Sequence, residues 1–377
     1  MFDRESLILR PELLQTGFIP ERILFRDEQI NKLVTTFSPI LRGYQPKDIV
    51  MLGKSNTGKT IVANRILKDL REKVNHKTTD LEIIDTSYSI VFSPERAIQN
   101  VIYRITNDDA IYETELNEQQ LVSKLIDILE TKEMSLLIVD HSVPGKKSKD
   151  YLKLLFDAQA FLQTRNTNVF VFFLLIIDSN IENWQIDDNY ITIFFSPYSK
   201  KEVEKIVFDR KDAFREGAIS DEIIKKCIMA VPNSISEIFS LLLDATIIAE
   251  SKNANSVTNE HIDNLLKTRK AESIMGIINM LPPAQRIVLL IIATLSSEKK
   301  EVHTSDIYNK YVSLCEKENI KALSKPRISQ IIGGFEETGI LTRKVSYEGI
   351  PGRLSIITLN IQSEYLREML NEVSKIE

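Results

Sequence analysis

The sequence predicts an α/β fold in three parts: a parallel sheet wrapped by helices, an all-helical segment, and a closing unit of three helices and a β-hairpin. Three observations carry this reading. Apolar runs at 48–52, 81–85, 135–140, 169–177 and 190–195 are mostly uninterrupted rather than alternating, as in strands buried on both faces, and amphipathic segments separate them. From Ser199 to about Ala271 only helical periodicity remains. From about Met275 the order is helix, helix, helix, hairpin, that of a helix-turn-helix with an added β-ribbon, or winged helix.

Residues 1 to about 47 are a polar lead-in that ends in a helix from Asp27 to Leu41. The apolar run Ile49-Val50-Met51-Leu52 then meets Gly53-Lys54-Ser55-Asn56-Thr57-Gly58-Lys59-Thr60, and an amphipathic segment follows from Ile61 to Leu70. This is G-x-x-x-x-G-K-[ST] in the strand–loop–helix setting that a phosphate-binding loop needs. The glycines let the backbone curl so that its N–H groups converge on phosphate oxygens, and the helix N-terminus adds partial positive charge. Lys59 is placed to meet β- and γ-phosphates, and the Thr60 hydroxyl to hold Mg²⁺. Leu136-Leu137-Ile138-Val139-Asp140 is the expected companion strand, whose terminal Asp140 completes the Mg²⁺ site.

His141 follows Asp140 where a water-activating residue is expected. It is either a proton acceptor or a surface loop residue with no role. At the end of the long apolar strand, Asn180 is the first candidate for sensing a γ-phosphate and Asp178 the second. No arginine stands out between Trp184 and Tyr190, or between Pro232 and Ile238, where one would be expected to reach a neighbouring phosphate.

Ser199-Lys200-Lys201-Glu202 is a capping box that opens the all-helical segment, and Ser220 and Thr258 read as further N-caps. In the last unit, Ile328, Ile331, Ile332 and Phe335 form the apolar stripe of a helix at 324–337. That stripe leaves Arg327, Ser329, Gln330 and Gly333 outward, and arginine and glutamine side chains can make bidentate contacts with base edges. Ser324 and Lys325 at the helix start, and Arg343, Lys344 and Arg353 on the hairpin, add donors for phosphate. Between Lys321 and Arg353 six basic residues stand against three acidic ones, in a chain whose net charge is −5. The overall charge gives no reason to expect a nucleic-acid partner, so the local excess matters. Many winged helices bind only protein, and that reading stays open. Gly333-Gly334 fits close backbone approach to DNA, a packing need or a frayed helix end.

Cys227 and Cys315 form no metal or redox spacing, which fits a reducing compartment. Met1-Phe2-Asp3-Arg4-Glu5 lacks the basic-then-apolar pattern of an export signal, and Val169 to Ile177 is too short to span a bilayer. A cytoplasmic, nucleoid-associated protein with no membrane partner is expected.

In order and motif the chain resembles the archaeal Orc/Cdc-type replication initiators, AAA+ proteins, over nearly its whole length. Phe18-Ile19-Pro20-Glu21-Arg22 followed by Arg26-Asp27-Glu28-Gln29-Ile30 is similar to the family's entry motif, which implies Ile19 and Pro20 against an adenine. Leu41-Arg42-Gly43, the loop 53–60, Leu281-Pro282, Tyr308, Tyr311, Leu314-Cys315, Leu323-Ser324, Arg327-Ile328-Ser329, Gly339-Ile340-Leu341 and the wing at Gly349 to Arg353 also match. The segment Ser87 to Ile98 lies where the family carries an insertion that touches DNA, which brings in Arg96.

The resemblance implies an AAA+ base over 1–198, a helical lid over 199–273 and a winged helix over 274–377. It also implies ATP or ADP with Mg²⁺, nucleotide contacts that include Ile61, origin duplex DNA as partner, and association with paralogous initiators and the replicative helicase. The family has Asp-Glu where this chain has Asp140-His141, and it carries arginines in the finger and lid segments where this chain has none. Those departures point to a divergent paralogue that switches on nucleotide and hydrolyses it weakly or not at all. The alternatives are a working ATPase of DNA metabolism, and an interaction scaffold or transcription regulator whose winged helix binds protein.

Overall fold

The computed structural model describes residues 5–15, 17–74, 80–86, 93–141, 146–165, 167–178, 190–232, 234–299, 301–346 and 354–374. Contacts gather into two units, residues 1–262 and 263–377.

In the first unit, strands β1 (Ile49–Gly53), β2 (Asp80–Asp85), β3 (Met134–Asp140), β4 (Val171–Asp178) and β5 (Ile191–Phe195) form one sheet in the order β2-β3-β4-β1-β5, every pair parallel. Helices α1 (Asp27–Phe37), α2 (Lys59–Val74), α3 (Pro94–Thr106), α4 (Glu118–Thr131) and α5 (Lys146–Thr164) accompany it. The strand residues alternate between two cores. Leu136, Ile138, Val171, Phe173, Leu175 and Ile177 pack with α3, α4 and α5. Leu137, Val139, Phe172, Leu174 and Ile176 pack with α1 and α2. Both faces are therefore covered, which is why the strand runs show no polar alternation. The α1 helix stops at Phe37, short of the expected Leu41, because Ser38-Pro39 opens a tighter 3₁₀ turn that ends at Gly43 with φ 78°.

Helices α6 (Lys200–Phe208), α7 (Asp221–Ala230) and α8 (Ile235–Ser251) complete the unit. The expected capping box is present: the Glu202 amide donates to Ser199 Oγ and the Ser199 amide to the Glu202 carboxylate, which holds that carboxyl below its usual range. The N-terminal stretch is stitched to these helices rather than lying loose. Leu9 and Arg10 amides donate to the Ala213 carbonyl, Arg215 N–H donates to Leu7 O, and Leu7 N–H to the Glu250 carboxylate.

Helix α9 (Asn259–Met280) leads into the second unit, with α10 (Pro283–Glu298), α11 (Thr304–Lys317), α12 (Lys325–Glu337) and α13 (Ser363–Ser374). Strands β6 (Val302–His303), β7 (Leu341–Ser346) and β8 (Leu354–Leu359) form an antiparallel sheet in the order β6-β8-β7. The expected stripe Ile328, Ile331, Ile332 and Phe335 is buried against Val288, Leu289, Ile292, Ile307 and Tyr311. The α12 helix runs through Gly333-Gly334 to Glu337, so those glycines do not end it. Among the described residues no helix is long and apolar enough to cross a membrane.

Phe335, 2% exposed in this core, tests the packing. Phe335→Ala should cost about 3–5 kcal/mol in urea unfolding of the C-terminal unit, while Leu314→Ala on the surface should stay within about 0.5 kcal/mol. Equal effects would contradict the assigned core.

Candidate functional site

Because β1, β3 and β4 are parallel, Gly53, Asp140 and Asp178 end at one edge of the sheet, and Gly53 stands in register with Asp178 and Phe195. Such an edge is where open α/β sheets bind ligands. The loop from Gly53 to Thr60 turns there into α2. Asn56 has φ 62° and Gly58 φ 86°, so the backbone visits the left-handed region twice within three residues. At Gly53 a Cβ would lie 2.4 Å from the Phe195 carbonyl oxygen, and at Gly58 2.6 Å from Tyr198 Oη. Glycine at both ends of the loop is thus enforced by its surroundings. Lys59 is buried, and its ammonium donates to the carbonyls of Gly53 and Lys54 at 2.7 Å each, tying helix to loop.

A cavity of about 430 Å³ opens beside the loop. Its lining combines two chemistries. Ser55, Asn56, Thr57, Gly58, Lys59 and Thr60 bring polar groups and the α2 N-terminus, while Phe18, Ile19, Pro20, Ile61, Ile206, Ile235 and Phe239 bring apolar surface. Gly53 and Lys54 stand outside the lining. Ile19 and Pro20 meet the loop here although more than thirty positions separate them from Gly53. His141 also lines the cavity. Asp140 is buried, and its carboxylate accepts a 2.5 Å hydrogen bond from the Thr86 hydroxyl. Among the described residues no three His, Cys, Asp or Glu side chains gather into a metal cluster. Thr60 and Asp140 are the metal-ligand candidates at this edge, and such a pair suits a cation that shares its shell with phosphate and water. Asn180 and the finger segment 184–189 lie outside the described residues.

Three further side chains at this edge have no role assigned by the motifs, although Arg26 stands inside one of them. Thr86 orients Asp140. Arg210 enters the cavity from just after α6, its guanidinium 4.4 Å from the Phe239 ring centroid and 5.2 Å from that of Phe18, with a 2.9 Å hydrogen bond to Leu13 O. Burial lowers its pKa, against the opposing charge of Asp209. An arginine thus reaches the cavity from the helical segment, though not from 232–238 where the family comparison places one. Arg26, 3% exposed, donates from Nε and Nη2 to Thr57 O at 3.0 and 2.9 Å, holding the loop from outside.

On the second unit, Ser324, Lys325, Arg327, Ser329, Gln330 and Lys344 are all exposed. Arg327 Nη1 donates to Gln330 Oε1 at 3.0 Å, so the two base-reading candidates share one face of α12. Arg343 is engaged within the unit: its guanidinium contacts the Glu336 carboxylate at 2.5 Å and lies 3.5 Å from where a Gly333 Cβ would be. In the first unit Arg96 is exposed but donates to Gln99 Oε1 and Tyr112 O, its guanidinium 4.5 Å from the centre of the Tyr112 ring. Arg353, the wing tip and residues 87–92 of the insertion segment lie outside the described residues.

Residues 276–369 match the model of the CDC6 C-terminal winged-helix domain. The chain is 25% identical over 386 aligned positions to an ORC1-type DNA replication protein 1 of Sulfurisphaera tokodaii, covering 98% of this chain and 94% of the relative. It is 27% identical over 386 positions to the protein of the same name from Archaeoglobus fulgidus, covering 97% and 91%. The Aeropyrum pernix ORC1 protein, solved in complex with DNA, superposes with a TM-score of 0.74 at 20% identity, covering 99% of this chain and all of that one. The resemblance to archaeal Orc/Cdc-type initiators therefore holds across the chain, and the fold is the expected AAA+ sheet domain with an all-helical lid and a C-terminal winged helix.

The contact at Gly53 gives a sharp expectation. Gly53→Ala pushes a methyl into the Phe195 backbone and should cost about 1–3 kcal/mol in denaturant unfolding. Gly276→Ala, inside α9 with nothing within 4 Å of its Cβ, should be neutral or gain about 0.5–1 kcal/mol. A neutral Gly53→Ala would contradict the close approach of β1 and β5.

Proposed function

We propose that this chain is a replication initiator of the Orc/Cdc type, which binds ATP or ADP as a conformational switch and binds duplex DNA at an origin. The observation that carries the reading is the pairing, in one chain, of a phosphate cradle opening onto an apolar-lined cavity with a winged helix whose outward face is polar and exposed. That pairing extends over the length shared with relatives named as DNA replication proteins.

Within this reading each side chain has a task. Lys59 and the loop amides hold the β- and γ-phosphates, with Ser55, Asn56 and Thr57 shaping the curve between Gly53 and Gly58. Thr60 and Asp140 hold Mg²⁺, Asp140 being oriented by the Thr86 hydroxyl. Ile19, Pro20 and Ile61 provide the apolar surface for the base, and Asn180 senses the terminal phosphate. The bound triphosphate supplies charge that a diphosphate lacks, and that difference is the switch. Ser324, Lys325 and Lys344 meet backbone phosphates, Arg327, Ser329 and Gln330 read bases, and Arg343, Arg353 and Arg96 add phosphate contacts. Paralogous initiators and the replicative helicase are the partners that this role implies, in the cytoplasm on the nucleoid.

Hydrolysis is slow in this reading, because His141 replaces the carboxylate that would activate water. A second reading, a working ATPase, rests on His141 lining the cavity. Turnover of the intact protein, with and without DNA, separates the two: His141→Ala should leave a low rate unchanged, whereas a fall of a hundredfold or more, roughly the scale of a lost general base, would establish the second reading. Lys59→Ala should abolish stabilisation by ATP. A ligand at about a hundred times its Kd raises stability by about 2.7 kcal/mol, and an intact protein with no such gain would refute nucleotide binding.

For DNA, affinity should fall steeply with salt as phosphates are neutralised. Lys344→Ala should weaken all duplexes alike and reduce the salt slope by about 1, and Arg327→Ala should cost about 1–3 kcal/mol on the preferred site only. Salt-independent binding, or none, would favour the scaffold reading.

A further inference from the structure

One guanidinium joins three separate stretches of the first unit. Arg26 Nε and Nη2 donate to Thr57 O inside the phosphate loop, Nη2 also donates at 2.8 Å to Ser196 O, just after β5, and Nη1 donates at 2.8 Å to Phe25 O. Its flat face lies on the Tyr198 ring, 3.8 Å from the centroid. Ser196 and Tyr198 belong to the short connection from the sheet to α6, whose N-cap is Ser199. The far end of the same tyrosine, Oη, stands 2.6 Å from where a Cβ on Gly58 would be. Phe25 has φ 59°, a conformation a bulky residue adopts only where its surroundings impose it.

A simple brace on the loop would need only one donor to Thr57 O, which a lysine could supply. The planar fork does something else. It fixes two carbonyls, one on the loop and one at the entrance to the helical lid, in a single rigid geometry, so one cannot move without the other. A lysine ammonium in its place would be a point charge with no flat face for Tyr198.

We infer that Arg26 is a positioning residue that couples the occupancy of the phosphate loop to the lid, through Thr57 O on one side and Ser196 O and Tyr198 on the other. The inference rests on the nucleotide-binding reading above and names the regulation of that site. A loop that tightens on phosphate shifts Thr57 O. The shared Nη2 and the stacked ring carry that shift to the start of α6.

The test is hydrogen exchange on the full chain, with and without saturating Mg²⁺-ATP, in the wild type, Arg26→Lys, Arg26→Ala and Lys59→Ala. In the wild type ATP should protect both 55–61 and 196–208. Arg26→Lys should bind ATP roughly tenfold more weakly, the scale of losing a charge-assisted hydrogen bond. At saturation it should keep protection in the loop and lose it at 196–208. Millimolar guanidinium should restore the lid protection in Arg26→Ala and do nothing for Lys59→Ala, a rescue that simple destabilisation would not give. Should the Arg26 variants fail to fold, Tyr198→Leu, which keeps the fork and removes the stacking face, should show the same split. Wild-type lid protection at saturating ATP in the folded variants, or a wild type that binds ATP with no change at 196–208, overturns the coupling. A wild type that binds no ATP overturns the nucleotide reading instead.

Discussion

The curvature of the loop between β1 and α2 is the constraint on which the rest of the first unit depends. It is held from within by the Lys59 ammonium on the carbonyls of Gly53 and Lys54, and from outside by Arg26 on Thr57 O. Backbone carbonyls turned toward buried cations leave the opposite side of the chain to present its amides, which is how a loop becomes an anion site. The left-handed turns fall at Asn56 and Gly58, and β5 and Tyr198 leave no room for a side chain at Gly53 or Gly58.

The sheet order makes this loop useful. With β4 between β1 and β3, the ends of the P-loop strand and the Asp140 strand flank a common edge. The N-terminal stretch then crosses from its attachment on the lid, at Ala213 and Glu250, to α1, and on the way places Phe18, Ile19 and Pro20 in the cavity. The loop, the crossing strap and helices α6 and α8 all line that one cavity.

Much of this was legible in the sequence. Each expected strand is present to within about two residues, because a doubly covered strand must be an unbroken apolar run. The capping box at Ser199 and Glu202 and the α12 stripe were readable because both are local patterns of fixed spacing. Thr86, Arg26 and Arg210 were not readable as site residues. Each acts through a partner 31 to 197 positions away, and nothing in the local pattern announces a hydrogen bond to a distant carbonyl or carboxylate. The N-terminal strap was missed for the same reason: its attachment runs through backbone amides, which any side chain permits. The engagement of Arg343 with Glu336, across the turn from α12 to β7, could likewise only be seen once the fold was known.

The most direct measurement is the nucleotide that accompanies the intact chain through purification, released by denaturation and identified by mass. A cradle braced at this many points, with His141 where a catalytic carboxylate would stand, predicts close to one adenine nucleotide per chain, as ADP or unhydrolysed ATP. A fully folded chain that purifies empty and gains no stability from added ATP would contradict it.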